Sequence, residues 1–472
     1  MSVGLYHTAG KGTRLAPLPG AENNNKPGVK LPASVDINGE PSAITILESV
    51  IKQTGCYAKS RPGRLSVFWG DQIFVPTVSV EYKASHHIDI LCSLGPMPTA
   101  EVWKEKGNQN YGLVARSASG KSAQVEKVDH ATATKMLAGL GKIDAVGPSL
   151  GSFSVSSSML LTLLEEFKTE LSSRKGKLDS DPHLWMPMTL QLKDYISLME
   201  QKGIKADESE KHFKRIEIMM SKFNSDSGNA SLGLFGPVDV GQDLCWWDYG
   251  LLRLYQRNVL LMSEKSEEAD LMRLFFNMGS TLIKDSSLLK TDVDSNSLVA
   301  NCQIGGNDAK PSGSIKNSVL CNVKCRYIDA EGCILINVTA DSIIARPGCI
   351  IYNIIDTSTK GLDLPEKEVL VSVFTDNGDN FVMKSSTTID GGKAWEQKLE
   401  CNSYTFEEVY NMNANADPTK LEGKINAKHK KSWVDLQTNN SSGQSYWFGF
   451  TTGVIAGLGV LAFSLLSKKG SK

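Results

Sequence analysis

The chain has 472 residues, enough for two or three domains, each with a core of its own. Lysine and arginine total 51 against 52 for aspartate and glutamate, a formal net charge of -1, so the basic footprint of a nucleic-acid binder is absent and no nucleic-acid partner is expected. Nine cysteines, at positions 56, 92, 245, 302, 321, 325, 333, 349 and 401, form no paired CxxC motif, which argues against zinc and a disulfide framework and for a reducing compartment.

An apolar lead-in (Val3, Leu5, Tyr6) runs into Ala9-Gly10-Lys11-Gly12-Thr13-Arg14-Leu15, with no basic or apolar leader of the signal-peptide kind before it. The two glycines can take positive φ and let backbone N–H groups approach an anion, which reads as a phosphate-handling loop. Arg14 adds a forked donor set, and Lys26, Lys30 or Lys11 each offers a point charge. Ile44, Leu47, Val50 and Ile51 recur at helical spacing and predict a helix over 41–53.

Residues 65–69 read as a strand that delivers Gly70-Asp71-Gln72 to its carboxyl end, where open α/β sheets bind ligands; a plain turn is the alternative. A strand over 88–94 follows, then a hairpin from Tyr111-Gly112 that turns near Ser119-Gly120 and closes on Glu126-Lys127, for which a solvated ion pair is the bland reading. Residues 151–156 lead into a helix whose Leu160, Leu161, Leu164 and Phe167 are expected to face the core. Helical patterns at 192–199 and 210–223 carry no recognisable chemistry, and Cys245-Trp246-Trp247-Asp248-Tyr249-Gly250 introduces another helix over 251–262.

From 297 to 355 short apolar pieces recur every six to ten residues or so, which predicts a parallel β-helix, with a β-sandwich as the alternative. Further strands at 369–374 and 381–384 precede an asparagine-rich, basic stretch over 411–442 that reads as a linker. From Tyr446 to Leu466 a nearly unbroken apolar run approaches the roughly 20 residues that span a bilayer. Only Lys468-Lys469-Gly470-Ser471-Lys472 follows it.

Gly10-x-Gly12-Thr13-Arg14-Leu15-x-Pro17-Leu18 followed by Lys26-Pro27 resembles the signature of the sugar-1-phosphate nucleotidylyltransferases, the nucleotide-sugar pyrophosphorylases. Gly70-Asp71-Gln72-Ile73-Phe74 is similar to the family segment whose aspartate holds a metal, and Trp246-Trp247-Asp248-Tyr249-Gly250 resembles the element that brings a second aspartate to it. The resemblance implies an α/β fold with a Rossmann-like nucleotidyltransferase domain over 1–285 and a left-handed parallel β-helix-like domain over 286–400, to which composition adds a polar linker over 401–444, one transmembrane helix over 445–467 and a basic tail over 468–472. It implies that Arg14 and Lys26 are catalytic, that Ala9, Gly10, Gly12 and Thr13 bind nucleotide, that Gly112, Glu126 and Lys127 bind sugar phosphate, and that Asp71 and Asp248 share Mg²⁺.

The implied reaction joins NTP and a sugar 1-phosphate, with UTP and glucose 1-phosphate favoured as the commonest pairing; ADP-glucose or GDP-sugar synthesis, a non-catalytic regulatory scaffold of the same fold and a nucleotide-binding membrane adaptor are the alternatives. The membrane is the expected partner of the apolar tail, with the catalytic domain on the cytosolic or stromal side, where the larger basic block would stay. Gly449, Gly453 and Gly457 supply a candidate helix-pairing face for a homo-oligomer. The sequence departs from the family pattern in several places. The gap between Arg14 and Lys26 is longer, Lys30 is an extra cation, Val128 stands where proline is usual, and Leu251 where threonine is usual. The strand and helix that usually carry a base-reading loop between the glycine loop and Asp71 are missing.

Overall fold

The structure is a computed structural model and describes residues 2–438 apart from 9, 38–39, 174–177, 280, 307–311, 376–378 and 401. Apolar segments of the first half assemble a mixed sheet in the order Val3–His7, Arg64–Trp69, Ile143–Ser156, His86–Cys92, Gly233–Asp239. The first two of these strands are parallel, as are the last two, and Ile143–Ser156 lies antiparallel between the pairs. His7, Trp69, Cys92 and Asp239 therefore end on one side of the sheet, the side where an open α/β sheet binds ligands. The predicted hairpin forms as Gly112–Ser117 and Ser122–Glu126 and adds to the start of the long antiparallel strand.

Local chemistry moves some predicted boundaries. Residues 40–45 are a strand paired with Lys30–Ile37, and the helix begins only at Ile46, because Thr45 and Glu48 form a reciprocal capping box. In the helix Ser157–Glu166 the inward side is Met159, Leu160 and Leu163, whereas Leu161 and Leu164 are 67% and 47% exposed. Leu160 and Phe167 thus face the core as expected and Leu161 and Leu164 do not, since a run of consecutive leucines does not fix the phase of a helix.

The C-terminal half is a β-solenoid. Leu298, Val319, Ile334, Ile350 and Val369 stand in parallel register on successive coils. Within one coil, residues 319–321, 323–325 and 327–330 each pair with the next coil, with Asn322 and Arg326 at the intervening corners, which explains the short apolar spacing. Cys302, Cys321, Cys325, Cys333 and Cys349 are buried there and pack as small apolar side chains. Asn301, Asn322, Asn337 and Asn353 adopt positive φ at equivalent corners, and each carboxamide donates to the next along the stack. Asparagine tolerates this left-handed conformation better than other side chains do, so the corner and the ladder select the same residue.

The stretch expected as a polar linker is helical instead: Phe406–Met412 and Pro418–Thr438 fold back on the body. Its few apolar residues are the reason, because Phe406, Val409, Leu421, Ile425 and Trp433 are spaced to bury one side of each helix. One core cluster joins Leu15, Leu18, Val29 and Leu31 of the glycine-loop segment to Ile334 and Ile350 of the solenoid and to Phe406 and Val409. Each such burial contributes roughly 1.5–3 kcal/mol, so the segment between the two predicted catalytic cations is firmly fixed to the solenoid. Among the described residues no helix is long and apolar enough to cross a membrane, and the predicted span over 445–467 with its tail lies outside them.

Candidate functional site

Gly10 and Gly12 both adopt positive φ, at 112° and 67°, as an anion-cradling turn requires. Gly12 packs on the stem of Lys26, where an added methyl group would lie 3.2 Å from Lys26 Cβ. Thr13–Leu15 forms a single helical turn that leaves Arg14 exposed and sinks Leu15 into the core. Ala9 lies outside the described residues.

Pairing of Cys245–Asp248 with Gln72–Val75 sets Asp248 opposite Gln72, and the N–H of Tyr249 donates to the carbonyl of Asp71 at 2.9 Å. The two carboxylates thereby converge on Gly250. A methyl group there would lie 3.0 Å from Asp248 Oδ1 and 3.1 Å from Asp71 Oδ2, and the Gly250 N–H donates to Asp248 Oδ1 at 2.7 Å. The Lys26 ammonium donates to Asp71 Oδ2. Burial raises the carboxyl pKa of Asp248 above the usual range; the Gly250 N–H opposes this, Asp71 adds to it, and Lys26 and Arg14 oppose it. Arg14, Lys26, Asp71 and Asp248, distant in sequence, therefore form one charge cluster. Two carboxylates brought this close are donors of the kind a hard divalent cation takes, although among the described residues no group of three or more His, Cys, Asp or Glu side chains gathers as a metal site.

A second wall carries the predicted hairpin. The rings of Tyr111 and Trp246 meet at a 45° tilt with centroids 5.3 Å apart, which sets Gly112 beside the strand of Asp248. At the hairpin's end Lys127 has positive φ and donates to Glu126 at 2.9 Å, while 60% of its side chain remains exposed. Glu126 also accepts from Lys202 at 3.2 Å; burial works against its ionisation, yet the two lysines hold its carboxyl below the usual range.

Sequence reasoning missed Gln124, Asp181 and Lys202. A methyl group at Gly112 would meet Gln124 Nε2 at 3.1 Å and Asp181 Oδ2 at 3.3 Å. Burial and then the charge of Glu126 push the Asp181 carboxyl up to about 6, against the opposing pull of Gln124, Lys127 and Lys202. Asp181 opens the helical stretch Asp181–Trp185, and the apolar residues that follow it carry no mark of a site.

Two candidate cations are engaged elsewhere. Lys11 lies over the rings of Trp395 and Tyr410 and faces Glu407 at 3.7 Å. Lys30 is nearly buried and donates to both carboxylate oxygens of Glu22, at 2.8 and 2.9 Å. A lysine held this way is an anchor for the loop and has no charge to spare for a phosphate.

The chain matches no known protein-family profile. No curated protein matches it either. Among solved structures it is similar to a putative glucose-1-phosphate thymidylyltransferase from Bacillus anthracis, solved in complex with sucrose, at 12% identity and a TM-score of 0.27. That match covers 57% of this chain and 99% of the other.

Proposed function

We propose that the chain is a sugar-1-phosphate nucleotidylyltransferase, joining an NTP and a sugar 1-phosphate into a nucleotide sugar with release of pyrophosphate. The supporting observation is the convergence of Asp71 and Asp248 at Gly250 with Lys26 and Arg14 around them, beside a hairpin that presents Lys127. Two carboxylates and two cations on one wall suit a triphosphate with its metal, and an exposed lysine on the adjoining wall suits a second phosphate.

In this reading the sugar-phosphate oxygen attacks the α-phosphorus, the bond from that phosphorus to the bridging oxygen breaks, and pyrophosphate leaves. Positioning and charge neutralisation supply the rate. Backbone N–H groups of Gly10, Gly12 and Thr13 cradle the outer phosphates, Arg14 neutralises departing pyrophosphate, Lys26 reaches the α-phosphate, and Lys127 holds the attacking phosphate against Glu126. Asp71 and Asp248 would hold Mg²⁺, which would supply charge neutralisation at phosphate oxygens. Our first choice of substrates is UTP and glucose 1-phosphate, the commonest pairing in the family that the motifs resemble. Pyrophosphate release, measured for the full chain with each of four NTPs crossed against a panel of sugar 1-phosphates, tests this. Release in no pairing would leave a non-catalytic scaffold.

We also assign base stacking to Trp69, in place of the missing base-reading loop. The residue is 38% exposed at the strand end next to Gly70-Asp71, and its ring packs edge-on against His7 and abuts Gly151. Stacking on an aromatic face is worth about 1–3 kcal/mol and tolerates any base, so Trp69→Ala should raise the KM of every NTP tested. An unchanged KM would remove Trp69 from the site.

The apolar run from Tyr446 to Leu466 is assigned as a carboxyl-terminal membrane anchor with the enzyme on the cytosolic or stromal face. Full-length chain should stay with membranes through carbonate extraction, and a chain ending at Thr438 should not. Release of the full-length chain would rule the anchor out.

A further inference from the structure

The chain from Arg14 to Lys26 is longer than the motif it resembles, and the additional residues, 20–25, are fastened to the carboxyl side of the protein. Gly20 packs under Val409, where an added methyl group would lie 3.2 Å from Val409 Cγ1, and its carbonyl accepts from Asn413 Nδ2 at 3.0 Å. Asn23 Nδ2 donates to the carbonyl of Phe374 at 3.0 Å, and Asn24 Nδ2 to that of Tyr410 at 2.6 Å. Both asparagines adopt positive φ, at 53° and 69°, a conformation their short polar side chains tolerate, so each serves the turn and the tie together. Val409, Tyr410 and Asn413 belong to the helix Phe406–Met412 and the residue that ends it.

The same helix holds the other limb of the loop. Glu407 and Tyr410, one helical turn apart, both face Lys11: its ammonium lies 3.7 Å from Glu407, 5.5 Å from the centroid of the Tyr410 ring and 5.9 Å from that of Trp395. The Glu407 N–H donates to the carbonyl of Trp395 at 3.1 Å, which joins the second ring to the helix. Ahead of Trp395, the turn over 390–393 lies on the turn Thr13–Leu15. A methyl group at Gly391 would run into the carbonyl oxygen of Thr13 and lie 3.0 Å from Ala16 Cβ. That carbonyl accepts from the Ala16 N–H at 3.2 Å and closes the turn that carries Arg14. Gly391 is not in the left-handed region, so this contact, and not the backbone, is what excludes a side chain there.

We propose that the helix Phe406–Met412 and the turn over 390–393 are a splint for the nucleotide loop, in which Lys11, Gly391 and the carboxamides of Asn24 and Asn413 are positioning groups. The splint fixes the shape of the turn from Gly10 to Thr13 and how far Arg14 stands from Lys26. A loop already held in shape does not have to be ordered when a triphosphate arrives, which favours binding and keeps the two cations aligned on it. Lys11 thus contributes by where its ammonium is latched and makes no contact with phosphate. The effect on nucleotide rests on the proposed nucleotidylyltransferase reading, whereas the splint itself does not.

Amide hydrogen exchange of the full chain tests the splint without a substrate. Lys11→Met, which keeps the stem and removes the charge, and Gly391→Ala should each speed exchange over 12–26 by about fivefold or more and leave the strands Gly112–Ser117 and Ser122–Glu126 unchanged. Unchanged exchange over 12–26 in Lys11→Met, or equal acceleration in those strands, would overturn the splint. Initial rates test what it positions. In both variants the KM for UTP should rise about fivefold or more while that for glucose 1-phosphate stays the same, and Lys11→Arg should restore the native value, because a guanidinium also stacks on the rings and pairs with Glu407. Gly423→Ala, made where nothing lies within 4 Å, should match the native chain in both measurements. A rise that Lys11→Arg does not reverse, or one shared equally by both substrates, would overturn the positioning role. If Gly391→Ala does not fold, the Lys11 variants decide. Faster exchange in the variants of a chain that releases no pyrophosphate with any NTP would leave the splint standing and overturn the enzymatic reading.

Discussion

The Lys26 ammonium donates to Asp71 Oδ2 across 45 residues of sequence, with both side chains largely screened from water at 15% and 14% exposure. The pair ties the glycine loop to the proposed metal carboxylates, and it neutralises Asp71 while Asp248 sits beside it. Asp71→Asn and Asp248→Asn should each lower turnover by a hundredfold or more, about 3 kcal/mol of lost charge stabilisation, with unchanged circular dichroism. Lys26→Ala should also lower kcat, yet it should tighten Mn²⁺ binding to the free protein, because the cation competing for Asp71 is gone. Near-normal turnover of either aspartate variant with Mg²⁺, or weaker Mn²⁺ binding in the lysine variant, would sink the arrangement.

Much of this site was legible because glycine and charge leave local marks. Gly10 and Gly12 announce a turn, Asp71 follows an apolar strand, and Asp248 follows aromatic residues, so the chemistry is written at the ends of recognisable elements. Lys30 misled for the opposite reason. Its sequence context is that of a free cation, and only the solenoid, which brings Tyr352 and Asn353 onto Glu22, shows that it is an anchor. Asp181 was illegible in the same way, because burial against Gly112 is a tertiary fact. The helices over 406–438 were hidden by composition, since sparse apolar residues suffice when a preformed surface receives them.

Lys127 should act on one substrate only. It stands on the hairpin wall, mostly exposed, with its carboxylate partner Glu126 shared with Lys202. Lys127→Ala should therefore raise the KM for sugar 1-phosphate with a smaller effect on kcat and none on the KM for NTP. Initial rates over both substrate concentrations check this. An unchanged dependence on sugar phosphate would move the role to Lys202.

Glu22 and Lys30 offer a stability test independent of activity. Glu22→Ala leaves a lysine that is 9% exposed with only Glu422, at 3.9 Å, to face it, and breaking such a pair from one side costs up to about 3–5 kcal/mol. Replacing both, Glu22→Leu with Lys30→Met, should cost much less, because no buried charge remains uncompensated. Urea denaturation of the single and double variants distinguishes these outcomes. Equal losses in both would mean that the pair is already well solvated.

Asp181 predicts a pH dependence with a definite sign. Its carboxyl is raised from 3.8 to about 6 in the folded protein, so between those values the folded chain holds a proton that the unfolded chain has released. Its contribution to stability is therefore fully present below 3.8, falls as pH rises through about 6, and is constant above that. The groups facing it are Gln124, Glu126, Lys127 and Lys202, and only Glu126 among them adds to the upward shift. Asp181→Asn removes the titration and keeps the shape. The variant should be at least as stable as the native protein at pH 7.5 and should lose that advantage by pH 4. Because Asp181 lies under Gly112 in the proposed sugar-phosphate wall, the KM for sugar 1-phosphate should change more steeply near pH 6 in the native protein than in the variant, where only the substrate phosphate, with a second pKa of about 6, titrates in this range. Thermal melts and initial rates across this range are decisive: a constant difference in Tm from pH 4 to 7.5 would show that Asp181 titrates as an ordinary carboxylate.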